Sequence, residues 1–500
     1  INPCYDIIIL KFLGIVMEFI ENREVEKEQL KAICRDMIKY SPSKICGMLG
    51  NAIIVPVYTS LLSPEQYGLY SLSIALLSFL CIIFSDWIGL SGLRFFKQHQ
   101  MTQDMPKYLT TLVTMLVTNI FLMFLVAFIF RENFYDFFKI PAKYFLAILL
   151  LIIPVAVRAL LFQLLRAQLK SMSFTLSTII NQFLTILLSI FFVKFFHLGA
   201  LALLLGMGIS ISLIDLLLIY QSNILSWFKL QKIEWHSVLP IIKYGIPIAA
   251  TSLSAWIINQ SNKFIMNSIH GFSEVGIVGV AYGLTLPLLM TIFSIITVAA
   301  IPRIINMYEE RIDVRPLISR FVGYFILVAL PVITVISMYS VDYVQMLSSN
   351  EKFLTAFKLI PYFAFGTFFM ALTDYTTLQY HLANKTYIEF IIKLTSGIVG
   401  VILNILLIPK YGLVGVGIAT LSANFLYFLL SVIIVLPGLR LISPNLTILR
   451  MLISYIPFAA LYVVFNKYVS MPALFEMIAL MIIFYMCYWG LSRTILKRPE

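Results

Sequence analysis

The stretch PVYTSLLSPEQYGLYSLSIALLSFL, residues 56–80, carries the pattern that decides the fold. An apolar segment ends at Leu61-Leu62, a short polar turn follows at 63–66, and a second apolar segment continues without a charge. A helix needs about 20 mainly apolar residues to cross a bilayer, and segments of that length recur from about Ile45 to Leu491. The pattern therefore predicts an all-α polytopic membrane protein.

The composition agrees with this prediction, since 60% of the residues are hydrophobic, 12% are charged and the mean hydropathy is +0.94. Such a chain is not a set of soluble domains. Hydropathy with Pro and Gly punctuation predicts about 14 transmembrane helices. Their ranges are 45–62, 68–90, 108–130, 144–165, 174–193, 198–220, 239–262, 275–300, 319–338, 354–376, 387–408, 412–436, 450–466 and 473–491.

The formal net charge of +12 raises the question of nucleic-acid binding, which the placement of the charges answers. Of the 36 Lys and Arg residues, about 24 fall in the two terminal segments and in alternate loops between the helices, and about eight fall in the opposite loops. This is the positive-inside pattern of a membrane protein with both termini in the cytoplasm. We expect membrane lipid and no nucleic acid as a partner.

Two regions of the chain resemble each other, which predicts two pseudo-symmetric six-helix lobes. VPVYTSLLSPEQYGLYSLSIAL, 55–76, and NKFIMNSIHGFSEVGIVGVAYGL, 262–284, both contain a short turn with Ser and Glu, then a Gly, then a helix rich in small and aromatic residues. We expect the chain to contain a cytoplasmic segment 1–44 (with Met17 as a candidate start and 1–16 outside the native fold), lobes 45–220 and 239–436, an amphipathic connector 221–238, two extra C-terminal helices 450–491, and a cytoplasmic tail 492–500.

Common catalytic motifs are missing, including the phosphate-binding loop, the G-x-S-x-G elbow and H-E-x-x-H. A membrane enzyme, such as a glycan polymerase or transferase, is the alternative to a transporter. Such an enzyme would need paired carboxylates near an aqueous loop. The carboxylates in or beside the helices, Asp86, Asp215, Asp374 and Glu389, are single and far apart in sequence. We therefore expect a transporter without a cofactor or a metal site, rather than an enzyme.

Polar residues within the helices are the candidate site, because each is costly in lipid unless it faces a partner or a water-filled cavity. In 387–408, helical spacing places Lys393 and Asn404 on one face; an intrahelical pair of Glu389 with Lys393 is the structural alternative. In 239–262 and just beyond it, Trp256, Gln260 and Lys263 share a face, which indicates a cavity lining. The structural alternative is that Lys263 snorkels to the outer interface.

Arg158 lies past the middle of its predicted helix, too deep for easy snorkelling, and we expect it to face the cavity. Asp215 has two interpretations, as a proton or sodium relay or as the partner of a buried Arg.

The chain from about 40 to 495 resembles the polysaccharide exporters of the O-antigen flippase type. The residues that carry the resemblance are PVYTSLLSPEQYGLYSLSIALLSFL (56–80), RAQLKSMSF (166–174), KYGIPIAATSL (243–253), EKFLTAF (351–357) and PKYGLVGVGIAT (409–420). This family belongs to the multidrug/oligosaccharidyl-lipid/polysaccharide exporter superfamily, so an ion-coupled drug or metabolite extruder is the first alternative. One departure is Asn262 before Lys263, where the family often has an Asp, and it puts an ion-coupling role there in doubt.

The resemblance implies a flippase for an undecaprenyl-diphosphate oligosaccharide in a bacterial cytoplasmic (inner) membrane, working by alternating access. A diphosphate needs cations, and we expect Arg158, Lys263, Lys393 and Arg94 to line its path. The product would feed O-antigen, capsule or exopolysaccharide biosynthesis, with H+ or Na+ and the glycan polymerase machinery as candidate partners.

Overall fold

In the computed structural model, residues 47, 48, 50, 53–102, 104–222, 235–348, 350–439 and 473–494 are described. Every regular element in this part of the chain is a helix. Ten of these helices are long and apolar enough to cross a membrane, or eleven if one bent pair counts as a single span. The predicted all-α polytopic fold is confirmed, while the count of 14 stays a prediction.

The first half, residues 53–222, contains seven helices: α1 53–61, α2 Pro64–Met101, α3 Met105–Ile129, α4 Arg131–Phe138, α5 Ala142–Ala167, α6 Ser171–Phe196 and α7 Ala200–Ser222. A π-helical turn, Ile82–Asp86, interrupts the α-helical pattern of α2. The second half, residues 235–433, contains α8 Trp235–His270, α9 Phe272–Glu309, α10 Arg315–Met338, α11 Ser340–Leu347, the 3-10 helix Glu351–Lys358, α12 Ile360–Leu382, α13 Thr386–Tyr411 and α14 Leu413–Ile433. Helix α15, Ala473–Thr494, follows.

Several helices extend beyond the predicted apolar segments. Helix α2 continues to Met101 and α9 to Glu309, past the predicted ends at 90 and 300, because polar residues continue the backbone ladder outside the apolar stretch. The prediction of one helix over 354–376 is wrong in its first turns, since Glu351–Lys358 is a separate 3-10 helix bent by 53° from α12. The predictions for 1–44, for 450–466, and for most of the 221–238 connector lie outside the described residues.

The turn in the opening sequence stretch is built by local chemistry. Ser63 caps α2, because its hydroxyl accepts a hydrogen bond from the Gln66 backbone N–H, and Pro64 occupies the first turn where no N–H partner is needed. The corresponding turn before α9 contains Gly271 at φ 82°, a left-handed conformation that favours glycine. Both α2 and α9 begin at the same end of the bundle, here called the Gly68 end. The opposite end is called the His99 end.

The two halves meet most closely where α2 crosses α9. A methyl group on Gly68 would overlap the Phe272 carbonyl, and a methyl group on Gly276 would overlap the Pro64 carbonyl. The contact is reciprocal, as expected where two corresponding helices cross on a pseudo-two-fold axis. At the His99 end α2 instead packs on the start of α8, where Ser91 donates a hydrogen bond to the Ile241 carbonyl at 3.2 Å.

Candidate substrate path

Arg158 and Asp215 form a buried ion pair between α5 and α7. The Arg158 Nε donates to Asp215 Oδ1 at 3.0 Å, and its Nη2 donates to the Ile211 carbonyl at 2.8 Å. The two residues are 9% and 4% exposed, and the guanidinium also lies 5.5 Å from the centre of the Phe162 ring. The sequence left two interpretations for Asp215, an ion relay or the partner of a buried Arg, and the structure shows it as the partner of Arg158.

Lys263 is buried in α8 without such a partner. It is 7% exposed, and its Nζ lies 5.6 Å from the centre of the Tyr282 ring of α9. No carboxylate in the described part of the chain forms an ion pair with it. The snorkelling alternative requires an exposed ammonium, so the burial of Lys263 disagrees with it. A desolvated cation beside an aromatic face is a site that an anion can complete.

Three amide side chains of α8 and α13 have buried oxygens without a partner among the described atoms. Asn262 donates from Nδ2 to the hydroxyls of Tyr282 and Thr420, each at 3.1 Å, while its Oδ1 accepts nothing. The Oε1 of Gln260 and the Oδ1 of Asn404 are likewise buried without a described donor. Buried amide oxygens are costly to leave unpaired, so each of these oxygens is available to a hydrogen-bond donor such as water.

Trp256 joins the halves rather than standing free in a cavity. Its Nε1 donates to the Ala75 carbonyl at 3.0 Å and to the Ser78 hydroxyl at 3.1 Å, both in α2. Its ring also packs on Phe79, with ring centres 4.9 Å apart. Helices α2 and α8 are therefore in contact along the middle of the bundle, between the Gly68–Gly276 contact and the His99 end.

Lys393 has partners in its own helix and in α14. Its Nζ donates to Glu389 Oε1 at 2.9 Å and lies 5.3 Å from the centre of the Tyr427 ring. The predicted intrahelical pair therefore exists. On the same helix, Gly397 packs against Ile257 of α8 and Gly400 against Ala423 of α14, so the small-residue face serves helix packing.

Arg94 is exposed near the end of α2, at the His99 end of the bundle. The described residues contain no ion pair for it. The four predicted cations thus occupy different situations: one exposed, two paired, and one buried without an acid. Sequence spacing predicts the Glu389–Lys393 pair within one helix, but the Arg158–Asp215 pair joins two helices that spacing does not relate.

Comparison with known proteins agrees with this architecture. Residues 33–308 match the model of the polysaccharide biosynthesis protein family, which is more than half of the chain. An uncharacterised membrane protein of Methanocaldococcus jannaschii is 24% identical over 433 residues, covering 81% of this chain and 98% of that protein.

Two solved structures show the same fold. The lipid II flippase MurJ in an inward closed conformation has a TM-score of 0.70 at 15% identity and covers 91% of this chain and 96% of its own. An inward-facing multidrug resistance MATE family transporter of the MOP superfamily has a TM-score of 0.65 at 13% identity and covers 78% and 92%. The chain has the fold of this superfamily of exporters. It belongs to the polysaccharide biosynthesis protein family.

Proposed function

We propose that the chain is a flippase that carries a polyprenyl-diphosphate-linked oligosaccharide from the cytoplasmic to the outer leaflet for surface polysaccharide biosynthesis. The observation that carries the proposal is Lys263, a cation buried against Tyr282 with no acid beside it among the described residues. Membership of the polysaccharide biosynthesis protein family supports the sugar-carrying part. A flippase is also what the sequence resemblance implies.

The chemistry of such a substrate matches the surroundings of Lys263. A diphosphate supplies the negative charge that a buried ammonium lacks, and charge-assisted hydrogen bonds of this kind are about twice as strong as neutral ones. The sugars bring hydroxyl donors, which the unpaired oxygens of Gln260 and Asn262 can accept. Arg94, exposed at the His99 end, is placed to meet the headgroup first.

The contact between the halves supports a mechanism of alternating access. The positive-inside pattern assigns the His99 end to the cytoplasm, so the Gly68–Gly276 crossing closes the outer end. Rocking of the halves would separate α2 from α9 and open Lys263 to the outside. With the inside negative, moving each negative charge outward gains about 2.3 kcal/mol per 100 mV, so the membrane potential helps this direction.

The test is the variant Lys263→Met. Surface glycan is measured in a strain that depends on this protein, and the purified variant in proteoliposomes is assayed for movement of a short-chain polyprenyl-diphosphate oligosaccharide. Lys410→Met is the matched control, because Lys410 is an exposed lysine in α13. We expect at least a tenfold loss in Lys263→Met and normal rates in Lys410→Met and in Lys263→Arg. Equal transport by Lys263→Met and the control at equal protein levels contradicts the proposal.

The alternative function, a drug extruder, predicts the opposite effect of Lys263→Met on transport. A cationic drug is repelled by Lys263, so Lys263→Met would raise the efflux of a lipophilic cation if that were the physiological activity. Association with glycan polymerase machinery, cytoplasmic termini and coupling to H+ or Na+ stay predictions.

A further inference from the structure

The second half contains an element that the first half lacks. Each half has a short helix of 8 residues at the Gly68 end, α4 in the first half and α11 in the second. After α4, only residues 139–141 precede the next long helix, α5. After α11, residues 348–359 precede α12, and they include the 3-10 helix Glu351–Lys358. This 3-10 helix, here called the strap, is an addition to the second half.

The strap is anchored to its own half. Asn350 caps its first turn, because the Asn350 Oδ1 accepts a hydrogen bond from the Lys352 backbone N–H at 3.0 Å. Ala356 of the strap is 0% exposed. The preceding helix α11 is fixed to α9, since the Tyr343 hydroxyl donates to the Leu284 carbonyl at 2.9 Å. We therefore expect the strap to move together with α9.

The strap reaches the first half through the ring of Phe353. This side chain is 0% exposed, and its ring lies edge to face with the Tyr67 ring of α2, with ring centres 5.6 Å apart. The Tyr67 ring also lies along α9. A methyl group on Gly279 would be 3.1 Å from Tyr67 Cε1, and one on Gly283 would be 3.8 Å from the Tyr67 hydroxyl. A ring of the first half is thus enclosed by α9 and the strap, which both belong to the second half.

Tyr67 belongs to the region where α2 and α9 close the Gly68 end. It directly precedes Gly68, which lies against the Phe272 carbonyl of α9. The two glycines of this crossing allow the helices to approach, but they bring no side chains that hold the helices together. The Phe353–Tyr67 pair brings such a contact, because the edge of one aromatic ring is attracted to the face of another. Separation of α2 from α9 has to draw the Tyr67 ring out of its enclosure.

The first half makes its own aromatic contact at this end without an added element. Phe138, the last residue of α4, packs against Phe264 of α8, with ring centres 5.2 Å apart. This contact involves α8, whereas the strap acts where α2 meets α9. Loss of the Phe353 ring should therefore weaken the closure of the Gly68 end rather than abolish it.

We propose that the strap is a latch for the Gly68 end: Phe353 holds the Tyr67 ring against α9 in the closed state and has to release it before the two halves separate there. Because the strap is anchored to the second half, the latch opens when α2 withdraws Tyr67, and it closes again when the ring returns between Phe353 and α9.

The consequence for transport rests on the proposed function, since the latch sets how readily the path at Lys263 opens to the Gly68 end. The latch itself is independent of the substrate. It can be measured in the reconstituted protein without any glycolipid.

The test is the distance between two spin labels in the reconstituted full chain, one at Glu132→Cys in α4 and one at Met346→Cys in α11, with the native cysteines replaced by Ser. Both positions are exposed at the Gly68 end. We expect Phe353→Ala to raise the fraction of molecules with the longer, open distance about fivefold, the order of effect that an aromatic pair has. Phe357→Ala is the matched control, because it removes a ring from the same strap that has no ring contact with Tyr67 among the described residues.

A second variant approaches the contact from the other side. Tyr67→Leu removes the partner ring and leaves the strap intact, so we expect the same shift as in Phe353→Ala, and the double variant should open no further than either single variant. An unchanged distance distribution in Phe353→Ala and Tyr67→Leu overturns the proposal, and so does an equal shift in Phe357→Ala.

The outcome for the latch is separate from that for the flippase. If Phe353→Ala shifts the distances but the wild type moves no glycolipid in the proteoliposome assay, the flippase proposal fails and the latch stands. If glycolipid moves and Phe353→Ala keeps the wild-type distances, only the latch fails.

Discussion

Arg158 and Lys263 are both cations buried in membrane helices, yet one is paired and the other is not. The Arg158 guanidinium is held by Asp215 and by the Ile211 carbonyl, and no step of transport is needed to satisfy it. The Lys263 ammonium has only the face of Tyr282 among the described contacts. The first arrangement joins two helices, whereas the second is incomplete without a ligand. Burial alone therefore does not separate a structural cation from a candidate substrate-binding cation; the absence of an acidic partner among the described residues is what makes Lys263 the candidate.

The largest effect is expected from breaking the Arg158 pair. Arg158→Met leaves the Asp215 carboxylate buried and unpaired, which should cost about 3–5 kcal/mol of the free energy of unfolding. The double variant Arg158→Met/Asp215→Leu should recover most of this loss, because no buried charge then remains. Chemical unfolding in detergent measures both. A double variant as unstable as the single one would show that Arg158 acts through something other than the pair.

A variant at the contact between Gly68 and Gly276 tests whether this contact blocks access to Lys263 from the Gly68 end. Gly276→Ala places a methyl group on the Pro64 carbonyl, and we expect it to destabilise the closed contact by about 1–3 kcal/mol, as overpacking does. In this background a Lys263→Cys thiol should react faster with a membrane-impermeant reagent added outside. Gly366→Ala is the control, because its methyl group would lie at an ordinary 3.5 Å from Asn424. Unchanged labelling would place the seal elsewhere.

Removing Lys263 should affect stability in the opposite direction to removing Arg158. Lys263→Met deletes a desolvated charge without leaving one behind, so we expect the free energy of unfolding to stay level or to rise by about 1 kcal/mol. Transport should fall in the same variant. The two measurements together separate a binding residue from a structural one, and a loss of stability as large as that of Arg158→Met would reveal a structural partner.

The smallest effect is expected at His381. Its side chain is half-exposed, and exposed ion pairs contribute about 0.2–1 kcal/mol. His381→Asn should therefore change the free energy of unfolding by no more than that, which chemical unfolding in detergent measures. A larger loss of stability would show that Glu389 depends on His381 more than on an exposed partner.

Much of the architecture can be predicted from the sequence because lipid imposes a simple rule. Apolar length alone locates Met105–Ile129 and Leu413–Ile433 to within a few residues. The same rule fails at Glu351–Lys358, where the chain bends and Phe353 packs against Tyr67 of α2. Tyr67 lies in the other half of the molecule, and no local sequence pattern predicts this contact.

The candidate site was predictable in part. Buried polar residues can be found by their position within apolar segments, which is how Arg158, Lys263 and Lys393 were selected. The Glu389–Lys393 pair was predicted, but the contacts of Glu389 with His381 and Tyr427 were missed, because those two residues lie on other helices. His381 lies at a helix end, where a polar residue carries no comparable signal. A short loop between two antiparallel helices, 383–385, was the available signal, since it brings their adjoining ends together.

The sequence by itself determined that this chain is helical, that it lies in a membrane, and which few residues are costly to bury there. These properties follow from hydropathy and helix geometry, which act over neighbouring residues. Only the tertiary structure decided that Arg158 is neutralised by Asp215, that Lys263 is not neutralised by any described acid, and that Gly68 and Gly276 meet. Charge compensation and close helix contact depend on distances across the bundle, and those distances are set by how whole helices pack.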